Sequence, residues 1–401
     1  MAIVVQKFGG TSVATSAMRE RVVGKVLACQ AQGHDVVVVV SAMGRLGEPY
    51  ATDTLLALVN QAGSSNARDR DLAMACGELV SCAVVASALR KAGLNPLPLS
   101  GWQAGIITDN TFGDARITAV DPTNLRSLLK EGIVPVVAGF QGVSSEGDIT
   151  TLGRGGSDTT AAALGVALGA ANVEIYTDVE GIMTADPRLV PEAKVLSFLD
   201  YGEVFQMASQ GSKVIHPRAV ELAMQRNIPL VVRSTFSDAP GTTIANAVLY
   251  ESRRVRPVTA VAHIPRVARV SIATPSDDGG LELDIFSRLA EAGVSVDLIN
   301  VSPEVKRFII PEDDADKARA ALKTLPLEVL FRCGCAKVSV IGTGMRGVPG
   351  VMSRVVGALR EAGVRILQSS DSHLTISVLI DQGDVEAATN ALHRRFELSI
   401  E

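Results

Sequence analysis

Up to about residue 235, short apolar runs alternate with longer stretches in which apolar positions recur at helical spacing, and glycines stand at the joins. The runs 3–5, 36–40, 97–100, 134–140, 173–177 and 230–232 read as strands buried on both faces. Between them lie helical stretches such as 17–32, stopped by Gly33, and 72–91, stopped by Gly93. The alternation predicts an α/β fold built on an open, mostly parallel sheet sandwiched by helices. In such sheets ligands sit beyond the carboxyl ends of the strands.

The pattern changes after Ser237-Asp238-Ala239-Pro240-Gly241, and the charged stretch 251–257 marks a change of domain. Beyond it the chain repeats itself at a spacing of about 70 residues: 268–272 (ARVSI) matches 336–340 (AKVSV), and 289–295 (LAEAGVS) matches 359–365 (LREAGVR). Each copy reads strand, loop, helix, glycine, strand and second helix, at 315–325 and 385–396, so two ferredoxin-like βαββαβ modules in tandem are expected. The expected division is 1–245, a linker at 246–262, and modules at 263–331 and 332–401. Gly342-Thr343-Gly344-Met345-Arg346-Gly347 imitates a dinucleotide fingerprint, with Asp371 further on. Its repeat partner, 273–280, lacks the glycine spacing, and about 55 residues after Gly347 are too few for a nucleotide-binding half plus a catalytic domain.

Composition narrows the classes. Of 401 residues, 47% are apolar and 20% charged, so a large core is expected and disorder is not. Aromatics are only 4%, and the net charge of -5 offers no basic face or stacking platform for nucleic acid. No signal peptide is visible, and the longest pure apolar run is about five residues, so a cytoplasmic location is expected. The five cysteines lie mostly in apolar stretches, and Cys333-Gly334-Cys335 has the wrong spacing for a zinc knuckle, so no metal site is expected.

Two glycine-rich turns carry the chemistry. Lys7-Phe8-Gly9-Gly10-Thr11-Ser12 follows the first strand, and Gly153-Arg154-Gly155-Gly156-Ser157-Asp158 opens an alanine-rich helix. One cation in each, beside free N–H groups, suggests a site gripping two anions, such as a nucleotide phosphate chain and an acidic co-substrate. No GxxxxGK[ST] loop or HRDxxxxN segment occurs. His216, beside Pro217, has no Ser or Cys partner and reads as structural.

Five motifs in order resemble the aspartate kinases: 7–12 (KFGGTS), 153–158 (GRGGSD), 176–181 (YTDVEG), 184–188 (TADPR) and 211–218 (GSKVIHPR). The resemblance covers essentially the whole chain. It implies an amino-acid-kinase fold with C-terminal ACT repeats. It also implies ATP- and Mg2+-dependent phosphorylation of the β-carboxylate of L-aspartate, the first step of lysine, threonine, methionine and diaminopimelate biosynthesis. By the same resemblance Lys7 would neutralise the transferred phosphoryl group, with Gly9 and Gly10 holding phosphate oxygens. Ser41, Glu78, Arg154 and Asp158 would bind substrate: Arg154 the carboxylate, Glu78 the α-ammonium, and Asp158 orienting Lys7. Thr177, Asp178, Asp186, Arg188 and Lys213 would form the nucleotide side.

The ACT repeats imply an amino-acid effector and pairing of two chains into a homodimer. Effector candidates are Asp277, Gly279, Asn300 and Val301 in the first repeat, and Val348, Gly350, Gln368 and Ser369 in the second. After Asn300-Val301-Ser302 the chain runs Pro303-Glu304-Val305 and lacks the Thr-Asp-Ile strand of many lysine- or threonine-inhibited relatives. With 48–53 (EPYATD) and 366–369 (ILQS), it looks like the branch that responds to diaminopimelate. The alternatives are a kinase of the same fold acting on glutamate or a similar acid, and a non-catalytic amino-acid sensor.

Overall fold

The computed structural model describes residues 1–63, 65–212, 214–246, 257–273, 279–325, 327–345 and 347–400. Contacts divide the chain into two compact units, Met1–Ile182 with Val195–Ala208 and Lys213–Ser252, and Met183–Lys194 with Ser209–Ser212 and Arg253–Glu401.

The first unit is built on an eight-stranded sheet in the order Phe198–Asp200, Thr242–Ala245, Leu230–Ser234, Asn172–Thr177, Ile3–Phe8, Asp35–Val40, Val134–Ala138 and Pro96–Leu99. The last six strands in that order run parallel, and they are the six that the apolar runs predict. Thr242–Ala245 pairs antiparallel with Leu230–Ser234 and, with Phe198–Asp200, extends one edge.

The strand Asp35–Val40 is buried at every position after Asp35 because helices cover both faces. On one face Val4, Phe8, Val36, Val38, Val40, Val134 and Val136 meet Val22 and Val26 of the helix Ser16–Ala31 and Cys82, Val85 and Leu89 of the helix Ala67–Lys91. The helix Ala67–Lys91 is long and apolar enough to cross a membrane by length and composition, but here it packs on this core and carries two buried carboxylates, Asp71 and Glu78.

A second, four-stranded sheet (Ile117–Val120, Ile106–Thr108, Gln141–Ser144, Ile149–Thr151) has no counterpart in the sequence reading. Its strands are three or four residues long and carry Thr, Ser and Gln at buried positions, so no apolar run announces them.

The second unit holds an antiparallel six-stranded sheet in the order Asp297–Val301, Val305–Pro311, Ala260–Ala273, Glu328–Ile341, Thr375–Asp381 and Gln368–Asp371. Each sequence repeat has its own core: Val270, Ile272, Ile285, Leu289, Phe308 and Ile310 in the first, and Val338, Val340, Val355, Leu359, Val378 and Ile380 in the second. The alternate positions Val267, Ile309, Cys335 and Leu379 form a smaller cluster with Leu298 on the other face.

The two modules share their longest strands. Residues 267–273 pair with Glu328–Cys335, whereas 260–264 pair with Lys337–Ile341 and so complete the second module. Residues 260–262, read from sequence as the end of a linker, are therefore strand. The second module's last helix, Val385–Arg395, is followed by no strand of its own among the described residues, and an earlier segment fills the place.

Candidate active site

Parallel register brings the carboxyl ends of the central strands level. Phe8 lies opposite Val40 and Tyr176, and Ser234 lies opposite Thr177. The segments that leave these ends, 9–13, 41–44 and 235, therefore gather at one edge. The Ser41 N–H donates to the Phe8 carbonyl at 3.1 Å, the Gly44 N–H to the Gly10 carbonyl at 3.2 Å, and the Thr235 N–H to the Thr177 carbonyl at 2.9 Å. Ser12 and Thr235 share a hydroxyl–hydroxyl bond of 2.6 Å, a tie that the sequence reading missed. Gly10 is glycine for space, since a Cβ there would fall 2.5 Å from the Ala42 carbonyl oxygen.

The second glycine turn meets the first through charge. Lys7 Nζ lies 2.6 Å from Asp158 Oδ1, with each side chain 12% exposed. Asp158 stands in the first turn of the helix Gly156–Leu168, where a carboxylate suits the helix N-terminus. Gly155 precedes that helix at φ 71°, and a Cβ there would lie 2.4 Å from the His216 ring. His216 thus has a structural place. Its Nδ1 accepts the Arg218 N–H at 3.4 Å, capping the helix Pro217–Gln225, and burial holds its pKa below the ordinary value. Arg154, between the two glycines, is exposed and forms no ion pair among the described residues. Its loop is braced by Arg218, which reaches the Leu152 carbonyl at 3.2 Å and Asp114 at 2.9 Å.

Glu78 is buried on the helix Ala67–Lys91. Its Oε1 accepts the Ala42 N–H at 3.1 Å, which sets it against the same 41–44 segment that touches Gly10. Its Oε2 is buried with no hydrogen-bond partner among the described residues. Burial pushes the carboxyl up to about 8, opposed in part by the Ala42 amide, its own amide and the Thr52 side chain. A buried acid of this kind has room to accept one more donor, and a cation would restore its charge.

The remaining candidates fall into three groups. Asp178, just beyond the strand Asn172–Thr177, forms an exposed ion pair with Arg45 at 2.9 Å, and Arg45 is a second residue that the sequence reading missed. The Thr177 hydroxyl donates to Asp178 at 3.2 Å. Asp186 and Arg188 pair with each other, the guanidinium meeting both carboxylate oxygens at 3.0 and 2.7 Å, and they belong to the second unit. Lys213 lies outside the described residues.

Among the effector candidates, Asp277 also lies outside the described residues, and Gly279 begins the helix Gly279–Glu291. Asn300 and Val301 are exposed on the edge strand Asp297–Val301, and Ser369 is exposed on the opposite edge strand, Gln368–Asp371. The Gln368 side chain bridges the two modules by donating to the Leu298 carbonyl. Val348 is exposed, and Gly350 caps the helix Val351–Glu361 at φ 90°.

Residues 2–234 match the model of the amino acid kinase family and residues 330–394 that of the ACT domain, so fold and site define an amino acid kinase joined to ACT modules. The second match covers the fingerprint-like stretch 342–347, which lies in sequence between the strand Glu328–Ile341 and the helix Val351–Glu361. Over its whole length the chain is 44% identical to aspartokinase 1 of Bacillus subtilis, across 100% of both chains, and it belongs to the aspartokinase family. Its fold superposes on Escherichia coli aspartokinase III in complex with aspartate and ADP (R-state), with TM-score 0.82, 27% identity, and 98% and 99% of the two chains covered. The same E. coli enzyme in complex with lysine and aspartate (T-state) gives TM-score 0.78 at 27% identity, over 98% of this chain and 99% of that one.

Proposed function

We propose that this chain transfers the γ-phosphoryl group of ATP to the β-carboxylate of L-aspartate, giving 4-phospho-L-aspartate, under control of an amino-acid effector. The observation that carries this reading is the Lys7–Asp158 ion pair, held where the two glycine turns meet. The nucleophile is a carboxylate with a pKa of about 4 and is already ionised at neutral pH, so the reaction needs no general base. What it needs is relief of repulsion between an anion and a polyanion. Lys7 supplies a cation at the transferring group, oriented by Asp158, and the Gly10 N–H serves the phosphate oxygens, whereas the Gly9 N–H expected to join it donates to the Tyr176 carbonyl at 3.2 Å. Arg154 grips a substrate carboxylate with two prongs, Ser41 binds substrate near its strand end, and the unsatisfied oxygen of Glu78 accepts the α-ammonium.

Thr177, Asp178, Asp186, Arg188 and Lys213 form the nucleotide side in this reading. In this reading Mg2+ would come bound to the ATP phosphates, with few protein ligands, and would neutralise their charge. Residues 1–245 are the catalytic part, 246–262 the connection, and 263–331 and 332–401 the ACT modules, with 260–264 lent to the second. The end strands Asp297–Val301 and Gln368–Asp371, which meet through Gln368 and Leu298 but carry exposed residues, suit association with a second copy of the chain, and the effector sits where ACT modules pair. The cytoplasm, which supplies both ATP and aspartate, is the compartment this reading requires.

Hydroxylamine trapping of the acyl phosphate formed from MgATP and L-aspartate tests the reading, beside L-glutamate and a blank without amino acid. Aspartate-specific hydroxamate supports it, and product from glutamate alone or from neither acid refutes it. Inhibition in the same assay by diaminopimelate rather than by lysine or threonine supports the branch suggested by 366–369.

A further inference from the structure

Asp71 is fully buried on the helix that carries Glu78, seven residues earlier and therefore on the same face, about 10 Å along the axis. Every donor around it comes from the substrate-side loops. Its Oδ2 accepts the Thr151 N–H at 2.7 Å and the Gly113 N–H at 2.9 Å, and its Oδ1 accepts the Thr151 hydroxyl at 2.9 Å. Thr151 ends the strand Ile149–Thr151, three residues before Arg154. Gly113 precedes Asp114, which with the Leu152 carbonyl holds Arg218 on the other side of the same loop. One turn further along the helix, the Ala75 carbonyl accepts from the buried Gln141 side chain at 2.9 Å, so the helix is also tied to the strand Gln141–Ser144.

These bonds form a rigid frame with Glu78 at one end and the root of the Arg154 loop at the other. From this frame we infer that Asp71 is a positioning residue, which sets the spacing between the group that receives the α-ammonium and the loop whose arginine receives a carboxylate. The inference rests on the aspartate kinase reading. It goes beyond that reading in assigning a buried acid, out of reach of both substrates, to affinity for one of them.

The test is steady-state kinetics on the full chain. Asp71→Ala removes both acceptor oxygens and with them all three hydrogen bonds, and KM for aspartate is expected to rise tenfold or more while KM for ATP stays within twofold. Asp71→Asn keeps one oxygen for the two N–H groups and turns its amino group to the Thr151 hydroxyl, which can accept. It is expected to recover most of the loss. Equal rises in both KM values, or a fall in kcat alone, overturn the inference. If Asp71→Ala fails to fold, the pair Thr151→Val and Thr151→Ser gives the same reading, with a severalfold rise in aspartate KM for valine only. A wild-type chain that forms no aspartyl hydroxamate sinks the kinase reading itself. An active wild type whose aspartate KM is unmoved in these variants sinks only the role of Asp71.

Discussion

Glu78 and Asp71 are both carboxylates, both buried and both on one face of one helix, yet their surroundings are opposite. Asp71 meets three donors and both its oxygens are used. Glu78 meets the Ala42 N–H through one oxygen, the Thr52 side chain stands near enough to favour its charged form, and its second oxygen has no hydrogen-bond partner among the described residues. A buried acid served on every side holds the structure, because its desolvation is offset where it stands. A buried acid served on one side is arranged for something that arrives. The comparison separates scaffold from site without reference to where any ligand lies.

Exchanging the carboxyl for an amide should divide the pair most sharply in activity. Glu78→Gln keeps the shape but cannot pair with an ammonium, and kcat/KM for aspartate is expected to fall about 100-fold, ~2.7 kcal/mol of transition-state stabilisation. A loss under fivefold would mean that Glu78 is not at the amino end of the substrate. Arg154→Lys should follow, with aspartate KM rising about tenfold and ATP KM little changed, since an ammonium cannot reproduce a two-pronged grip. Equal rises for both substrates would show that Arg154 serves the phosphates instead. Stability should then reverse the order of the two acids. Asp71→Ala strands the buried N–H and hydroxyl of Thr151 and is expected to cost about 2 kcal/mol in denaturant unfolding, whereas Glu78→Gln should cost nothing or stabilise. Equal destabilisation by both would erase the distinction drawn here.

Much of this was legible in the chain. Six central strands announce themselves as apolar runs because both their faces are covered, and the two cationic glycine turns stand where parallel register brings Lys7 to Asp158. Glu78 was named as a site residue, but Asp71, Arg45 and the Ser12–Thr235 bond were not. Each depends on a partner 80, 133 or 223 residues away, and no local pattern encodes such a pairing. One local signal did exist: Asp71 and Glu78 share a heptad spacing on the helix face that carries Ala75, Cys82, Val85 and Leu89. The four-stranded sheet was missed because its strands are only three or four residues long and many of its buried positions are polar. The strand 260–264 was missed because it completes a module whose other residues come after an entire intervening repeat.

The gentlest test of the comparison is pH. The carboxyl of Glu78 titrates at about 8 in the folded chain against an ordinary 4.5, chiefly because burial disfavours its charged form. Between those values the folded chain keeps a proton that the unfolded chain has released, so raising pH through this window lowers stability, by no more than ~1.4 kcal/mol per unit. The penalty is absent below pH 4.5 and complete above 8. Glu78→Gln has no such proton, so its stability relative to wild type should climb steadily from pH 5 to 8. Aspartate should oppose the trend, because its ammonium restores the carboxylate's charge, and the rise in Tm on adding aspartate should grow with pH up to about 8. Parallel stability curves for wild type and Glu78→Gln would mean that Glu78 finds a partner in the folded chain without substrate. It would then stand with Asp71 as scaffold.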